Sequence, residues 1–286
     1  MIAMKLLTLN THSLEEPGYV EKTEKFIERI VKEQPDIVAL QEVNQSQNEA
    51  ELQDVMLDGY TRCGGFELPV RADNHAAYVV KELRKRGIYY DWTWISAKTG
   101  YGKYDEGMAL LSRKPIARVQ QFLISKTDDY ENWKTRRTLG IQPEGSSDWF
   151  FTVHMGWWND EEEPFADQWK CIQEALKDPE YGEGIIWLMG DFNSQADVRG
   201  EGYDLVLKSG WKDTYLLAEE KDDGITVAEE IDGWREEDGR SGSTKNEKRL
   251  DYIFCNTPAD VRSSNVICNG KNAPVVSDHY GVMITV

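Results

Sequence analysis

The segment Ile185-Ile186-Trp187-Leu188-Met189 is apolar at every position and stops abruptly on Gly190-Asp191-Phe192-Asn193. A run this short and this apolar reads as a buried strand, and the residues that end it are polar and chemically capable. The pattern recurs. Residues 4–9 form a strand-like run ending on Asn10-Thr11-His12-Ser13, residues 37–40 end on Gln41-Glu42, and Phe150-Phe151-Thr152-Val153 ends on His154. A chain built this way buries its strands in stacked layers and gathers polar groups at the strand ends, where layered α/β folds commonly bind ligands.

Between these runs the apolar spacing becomes helical. Phe26, Ile27, Ile30 and Val31 predict a helix over 20–32, stopped by Pro35-Asp36. Further helices are expected at 76–86 and 165–176, and further strands at 89–95, 108–111, 138–141, 250–255 and 281–286. No internal repeat or Pro- or Ser-rich linker interrupts the pattern, so residues 1–286 are expected to form a single domain. Residues 218–249 stand apart, rich in Asp, Glu, Gly, Ser and Lys around Trp234, and read as a loop insertion.

Charge narrows the partners. Asp and Glu number 51 against 33 Lys and Arg, a formal net charge of −18. Such a surface repels nucleic acid and anionic membranes at long range. No stretch approaches the length of a membrane span, and the opening MIAMKLLTLN lacks the basic flank and apolar run of a signal peptide. A cytoplasmic monomer is expected. Cys63, Cys171, Cys255 and Cys268 form no C-x-x-C pair and read as free buried thiols.

The strand ends carry the candidate chemistry. Glu42, at the rim of a sheet, can ligate a hard cation. Alternation points Asp191 and Asn193 to one side and Phe192 into the core, so an acid and an amide can orient a water together. Ser277-Asp278-His279 sets a carboxylate beside an imidazole, a pairing suited to proton transfer or charge stabilisation. His154 closes a strand in the same manner. Asp251 opens one, with Leu250 and Tyr252 on the opposite face, and is suited to orienting an imidazole. His75 reads as a surface residue. His12, two residues beyond Asn10, reads either as lining the pocket or as supporting it.

Leu9-Asn10, Gln41-Glu42-Val43, Asp105-Glu106-Gly107, Thr152-Val153-His154, Gly190-Asp191-Phe192-Asn193, Leu250-Asp251-Tyr252-Ile253 and Ser277-Asp278-His279, in this order, resemble the endonuclease/exonuclease/phosphatase superfamily. The resemblance implies a four-layer α/β sandwich, two central mainly antiparallel β-sheets flanked by helices. It implies a Mg²⁺-dependent phosphoric ester hydrolase, with Mn²⁺ able to replace Mg²⁺. Glu42 would be the principal metal ligand, with Asn10 and Asp278 nearby. Asp191, held by Asn193, would orient or deprotonate the attacking water. His154 and His279 would bind phosphoryl oxygens, with Asp251 orienting one of them, and Arg136 or, as the stronger expectation, Arg137 would contact phosphate.

The segments Tyr104-Asp105-Glu106-Gly107-Met108 and His154-Met155-Gly156-Trp157-Trp158 look most like the bacterial branch that contains maltose 6'-phosphate phosphatase. Trp157 and Trp158 are expected to flank the substrate, with Trp92, Trp94, Trp133 and Trp234 in or near loops. Flat aromatic walls suit a sugar or a base, and the acidic surface favours the sugar. The expectation is a phosphatase of carbohydrate metabolism acting on a small sugar phosphate. The alternative is a nuclease cleaving DNA phosphodiesters.

Overall fold

The computed structural model describes residues 3–229, 231, 234 and 247–286. Its strands are β1 (Lys5–Asn10), β2 (Ile37–Ser46), β3 (Asp91–Gly100), β4 (Tyr104–Ser112), β5 (Ile116–Leu123), β6 (Arg137–Pro143), β7 (Trp149–His154), β8 (Ile186–Asp191), β9 (Lys212–Asp213), β10 (Glu220–Lys221), β11 (Asp251–Cys255), β12 (Ser263–Ile267) and β13 (Gly281–Thr285). Its α-helices are α1 (Tyr19–Glu33), α2 (His75–Lys85), α3 (Phe165–Ala175), α4 (Gly202–Lys208) and α5 (Thr214–Leu217).

The strands form a sheet ordered β10-β12-β13-β1-β2-β4-β3 and a second ordered β5-β6-β7-β8-β11-β9. Most neighbours are antiparallel. The parallel pairs are β1 with β2, β7 with β8, and β10 with β12.

Side-chain alternation explains the layering. Along β8, Ile186 and Leu188 pack outward with Phe165 and Trp169 of α3 and Val206 of α4. Trp187 and Met189 point the other way, into a core shared with Ala39 and Leu110 of the opposing sheet. On β1, Leu7 and Leu9 meet Phe26 and Ile30 of α1 and Val79 of α2, while Leu6 joins the inter-sheet core. Helices thus cover both outer faces of two stacked sheets, the expected four-layer sandwich. Each large side chain so buried contributes about 1.5–3 kcal/mol.

Helix ends follow local chemistry. Gln34 takes a left-handed conformation (φ 48°), its N–H capping the Ile30 carbonyl, and Pro35 follows. At α2 the Asn74 side chain accepts the Ala77 N–H at 3.1 Å. This cap draws His75 into the first turn, 3 % exposed and hydrogen-bonded to the Tyr19 hydroxyl at 3.0 Å. The surface reading of His75 is therefore corrected.

Trp92 and Trp94 are corrected too: both lie within β3, with their side chains buried in the core under the helices. Of the free cysteines, Cys255 and Cys268 are buried, but Cys63 is only partly buried and Cys171 is exposed. The strands β5, β9, β10 and β12 and the helices α4 and α5 have no counterpart in the sequence expectations; β5 is a partly exposed edge strand whose polar residues mask its alternation. Of the expected insertion at 218–249, residues 230, 232, 233 and 235–246 lie outside the described residues, and Glu220–Lys221 is strand β10. No helix among the described residues is long and apolar enough to cross a membrane.

Candidate active site

The inter-sheet alternation that buries Trp187 and Met189 brings Asp191 to the same face, at the open end of the sandwich. By the same rule Asn10 ends β1, His154 ends β7 and Asp251 begins β11, all turned between the sheets. Gly190 makes the register possible. Its φ is 148°, and a Cβ there would sit 2.0 Å from the Val153 carbonyl oxygen.

Glu42 breaks the alternation. Leu40 and Val43 both pack under the helices, while Gln41 donates to Thr152 Oγ1 of the other sheet at 2.8 Å. An irregularity between Leu40 and Val43 adds a residue to β2, and Glu42 takes φ 51°. This bulge lets two consecutive side chains leave the helix-facing side, Gln41 toward the other sheet and Glu42 into the cleft. The polar turn after β1 staples it. The Ser13 hydroxyl donates to the Glu42 carbonyl at 2.7 Å and accepts the Asn44 N–H at 3.0 Å, and the Thr11 hydroxyl reaches the same carbonyl at 3.2 Å. His12, Ser13 and Asn193 also have positive φ, so left-handed backbone clusters around the cleft.

The cleft encloses about 360 Å³ and is lined by Glu42, His154, Asp191, Asn193, Asp278 and His279, with His12, Lys98, Tyr101, Glu106, Trp133, Arg136, Trp157 and Ile231. Asp191 is its hub. Its Oδ1 accepts the Asn193 N–H at 2.8 Å, and its Oδ2 accepts from Asn10 Nδ2 at 3.2 Å. The same oxygen lies 3.7 Å from His154 Nε2 and 3.9 Å from His279 Nε2. Asn10 Nδ2 also donates to Glu42 Oε1 at 2.9 Å, so one amide bridges the two carboxylates. Asp251 Oδ2 sits 2.9 Å from His279 Nδ1, and this resolves which imidazole it contacts.

The electrostatics separate these groups. Burial, reinforced by Asp251 and Glu42 against His279, pushes the Asp191 carboxyl up to about 7. For His279 burial works to lower the pKa, but Asp251 and Asp191 together hold it well above the ordinary value. His154 falls well below it, through burial and then Arg136 and Lys98. One imidazole is thus held cationic and the other neutral. Burial first, and then Glu106 and Asp278 against the opposing charge of His12, raise the Glu42 carboxyl.

These oxygen donors fit a hard divalent cation. Glu42 is crowded by other carboxylates, and its imidazole neighbour His154, 3.9 Å away, is held neutral. A cation at Glu42 would relieve that repulsion. Asp278 lines the same cleft, its Oδ1 lying 4.0 Å from His12 Nδ1. His12 is bound at Nδ1 by Glu16 and at Nε2 by the Tyr101 hydroxyl, both at 3.0 Å. Asn10, expected beside the metal, turns its amide nitrogen to both carboxylates.

Two expected contacts change. The Arg137 guanidinium lies over the Phe66 ring at 4.8 Å, and its neighbour Arg136, 3 % exposed, lines the cleft. Adjacent residues on extended backbone face opposite ways. In the turn-containing segment after β7, Trp157 lines the cleft beside Trp133, ring centroids 5.6 Å apart, while Trp158 packs against Phe165. Lys98 escaped the sequence reading. It is buried on β3, pairing with Glu106 at 3.0 Å and donating to the Trp133 carbonyl at 2.9 Å. Its signal was a lysine within an otherwise buried strand.

The model of the endonuclease/exonuclease/phosphatase family matches residues 7–279. An endonuclease/exonuclease/phosphatase family protein from Leptotrichia buccalis is 35% identical over 98% of both chains, with a TM-score of 0.82. The fold is shared with a mannosyl-6-phosphatase of Bacteroides thetaiotaomicron (16% identity, 99% of each chain, TM-score 0.65). It is shared also with truncated TDP2 of Caenorhabditis elegans (15% identity, 99% of this chain and 97% of that one, TM-score 0.60). Among curated proteins none matches the chain.

Proposed function

Because this chain belongs to the endonuclease/exonuclease/phosphatase family, we propose that it is a metal-dependent phosphomonoesterase acting on a small phosphorylated sugar. The observation that carries the reaction class is the placement of Asp191 Oδ2 between the Nε2 atoms of His154 and His279, with Glu42 joined to it through Asn10.

Phosphoryl transfer depends on a positioned water, in-line geometry and neutralised oxygens. Glu42 would hold the divalent cation, with Asp278 at the margin of the site; Mg²⁺ and Mn²⁺ both suit such donors. Bound there, the cation would supply Lewis acidity toward the phosphoryl group. Asp191, with its pKa near 7, takes the proton of the attacking water as its oxygen bonds to phosphorus; the bond from phosphorus to the sugar oxygen breaks, and that oxygen leaves as the alcohol with a proton from solvent. The Asn193 N–H keeps that carboxylate aimed. His279, held protonated by Asp251, donates to a phosphoryl oxygen, and Arg136 and Lys98 add positive charge on the cleft floor. His154, neutral, can donate a hydrogen bond from its ring N–H to the same oxygens.

The substrate reading rests on the cleft. Its volume of about 360 Å³ lies in the range of small-ligand sites. The Trp133–Trp157 wall suits the face of a sugar, and the charge of −18 opposes a nucleic-acid backbone. A mannosyl-6-phosphatase with the same fold is a precedent for such a substrate.

The test is a panel of sugar phosphates, led by maltose 6'-phosphate, assayed with Mg²⁺ or Mn²⁺ beside supercoiled plasmid. Release of inorganic phosphate from a sugar phosphate, abolished by EDTA and restored by the metal, is expected. Efficient plasmid nicking with inert sugar phosphates would overturn the substrate class.

A further inference from the structure

Within the acidic stretch 218–249, the described residues Thr226, Val227, Ile231 and Trp234 connect to the site. The Thr226 hydroxyl accepts the N–H groups of Leu250 and Asp251 at 3.0 and 3.2 Å, and its carbonyl accepts the Tyr280 N–H at 2.7 Å. Thr226 thus touches the residues that flank or carry the Asp251–His279 contact. Val227 bridges Lys248, and Val227, Ile231, Trp234 and Leu250 form a small apolar cluster against which Trp157 packs. Trp234 is 6 % exposed there, and its indole N–H donates to Asn193 Oδ1 at 2.8 Å.

We propose that Trp234 is a positioning residue that fixes the amide of Asn193 and so takes part in the site. The inference rests on the phosphoesterase reading. An Asn side chain can flip, exchanging its oxygen and nitrogen. Here the Nδ2 group donates to the Met155 carbonyl at 2.9 Å while Oδ1 accepts from Trp234. A flip would set oxygen against oxygen on one side and N–H against N–H on the other. The two contacts together lock the amide and leave the second N–H of Nδ2 for a phosphoryl oxygen. Asn193 needs this support because its backbone is left-handed, φ 45°, at the end of the strand that carries Asp191.

The experiment compares wild type, Trp234→Phe, Asn193→Ala and the double variant, with Mg²⁺ and the best substrate of the panel. Trp234→Phe keeps an aromatic ring and deletes the donor. It is expected to lower kcat on the order of 5–10-fold with KM and melting temperature nearly unchanged. In the Asn193→Ala background the same change is expected to cost nothing further, because its route is gone. Unchanged kcat in Trp234→Phe, or losses that multiply in the double variant, would overturn the proposal. The indole N–H resonance of Trp234, assigned by its disappearance in Trp234→Phe, reports the contact without any turnover. It is expected to move upfield in Asn193→Ala, and an unmoved resonance would overturn the proposal equally. A wild type that hydrolyses no phosphoester would sink the phosphoesterase reading, and the resonance would still decide the contact.

Discussion

Asp251 Oδ2 lies 2.9 Å from Nδ1 of His279, and this one contact joins the first residue of a central strand in one sheet to the segment leading into β13 of the other. Both side chains are buried, so the charge on the imidazole depends on its partner. Asp251→Asn removes the charge that offsets burial. The His279 pKa is expected to fall, and kcat with it, by about 10²–10⁴-fold. A histidine-ring NMR titration beside steady-state kinetics checks both, and an unmoved ring pKa would refute the assignment.

Asp191 connects function to stability. Its pKa, pushed up to about 7 from the ordinary 3.8, means that the folded state binds more protons than the unfolded chain between those values. Stability from this group is present below the unfolded pKa and is lost as pH rises through the folded one. Asp191→Asn is expected to lower kcat by at least about 10²-fold and to melt higher than wild type at pH 8 in EDTA. Calorimetry of the two metal-free proteins decides it; a lower melting temperature contradicts the burial argument.

Ser13 supports Glu42 from a distance in sequence. Its hydroxyl makes the two hydrogen bonds that hold the β2 bulge, and Ser13→Ala leaves a buried carbonyl and N–H less satisfied. A loss of about 1–3 kcal/mol in urea unfolding is expected. The metal concentration for half-maximal activity should rise, since the bulge aims the carboxylate; an unchanged metal requirement would detach Ser13 from the site.

His75 sets an acid limit on the fold. Burial drives its pKa down to about 3 from 6.5, so the folded state binds fewer protons between those values. Its stability contribution is complete above pH 6.5 and declines as pH falls, by up to about 1.4 kcal/mol per unit. His75→Gln is expected to show a shallower loss of unfolding free energy between pH 7 and 5. Parallel slopes for the two proteins would rule His75 out as a source of acid instability.

The sequence by itself determined the strand ends. A period of two is a local property of extended backbone, so Asp191, His154 and Asp251 could be placed opposite Phe192, Val153 and Tyr252 from neighbouring residues alone. The buried strands, the helices at their flanks and the ordered polar motifs were legible for the same reason. Asp278 and His279 also fell together because they are adjacent in the chain.

What only the tertiary structure decided lies beyond that local period. Alternation alone would turn Glu42 toward the helices; the bulge, held by hydroxyls some thirty residues earlier, turns it into the cleft. The partner of Asp251, the choice of Arg136 over Arg137 and of Trp157 over Trp158, and the burial of His75 all depend on how strands register and sheets pack. Those are long-range pairings, and no spacing along the chain encodes their outcome. Trp234 is a further case, its indole N–H donating to the amide oxygen of Asn193, 41 residues away in the chain.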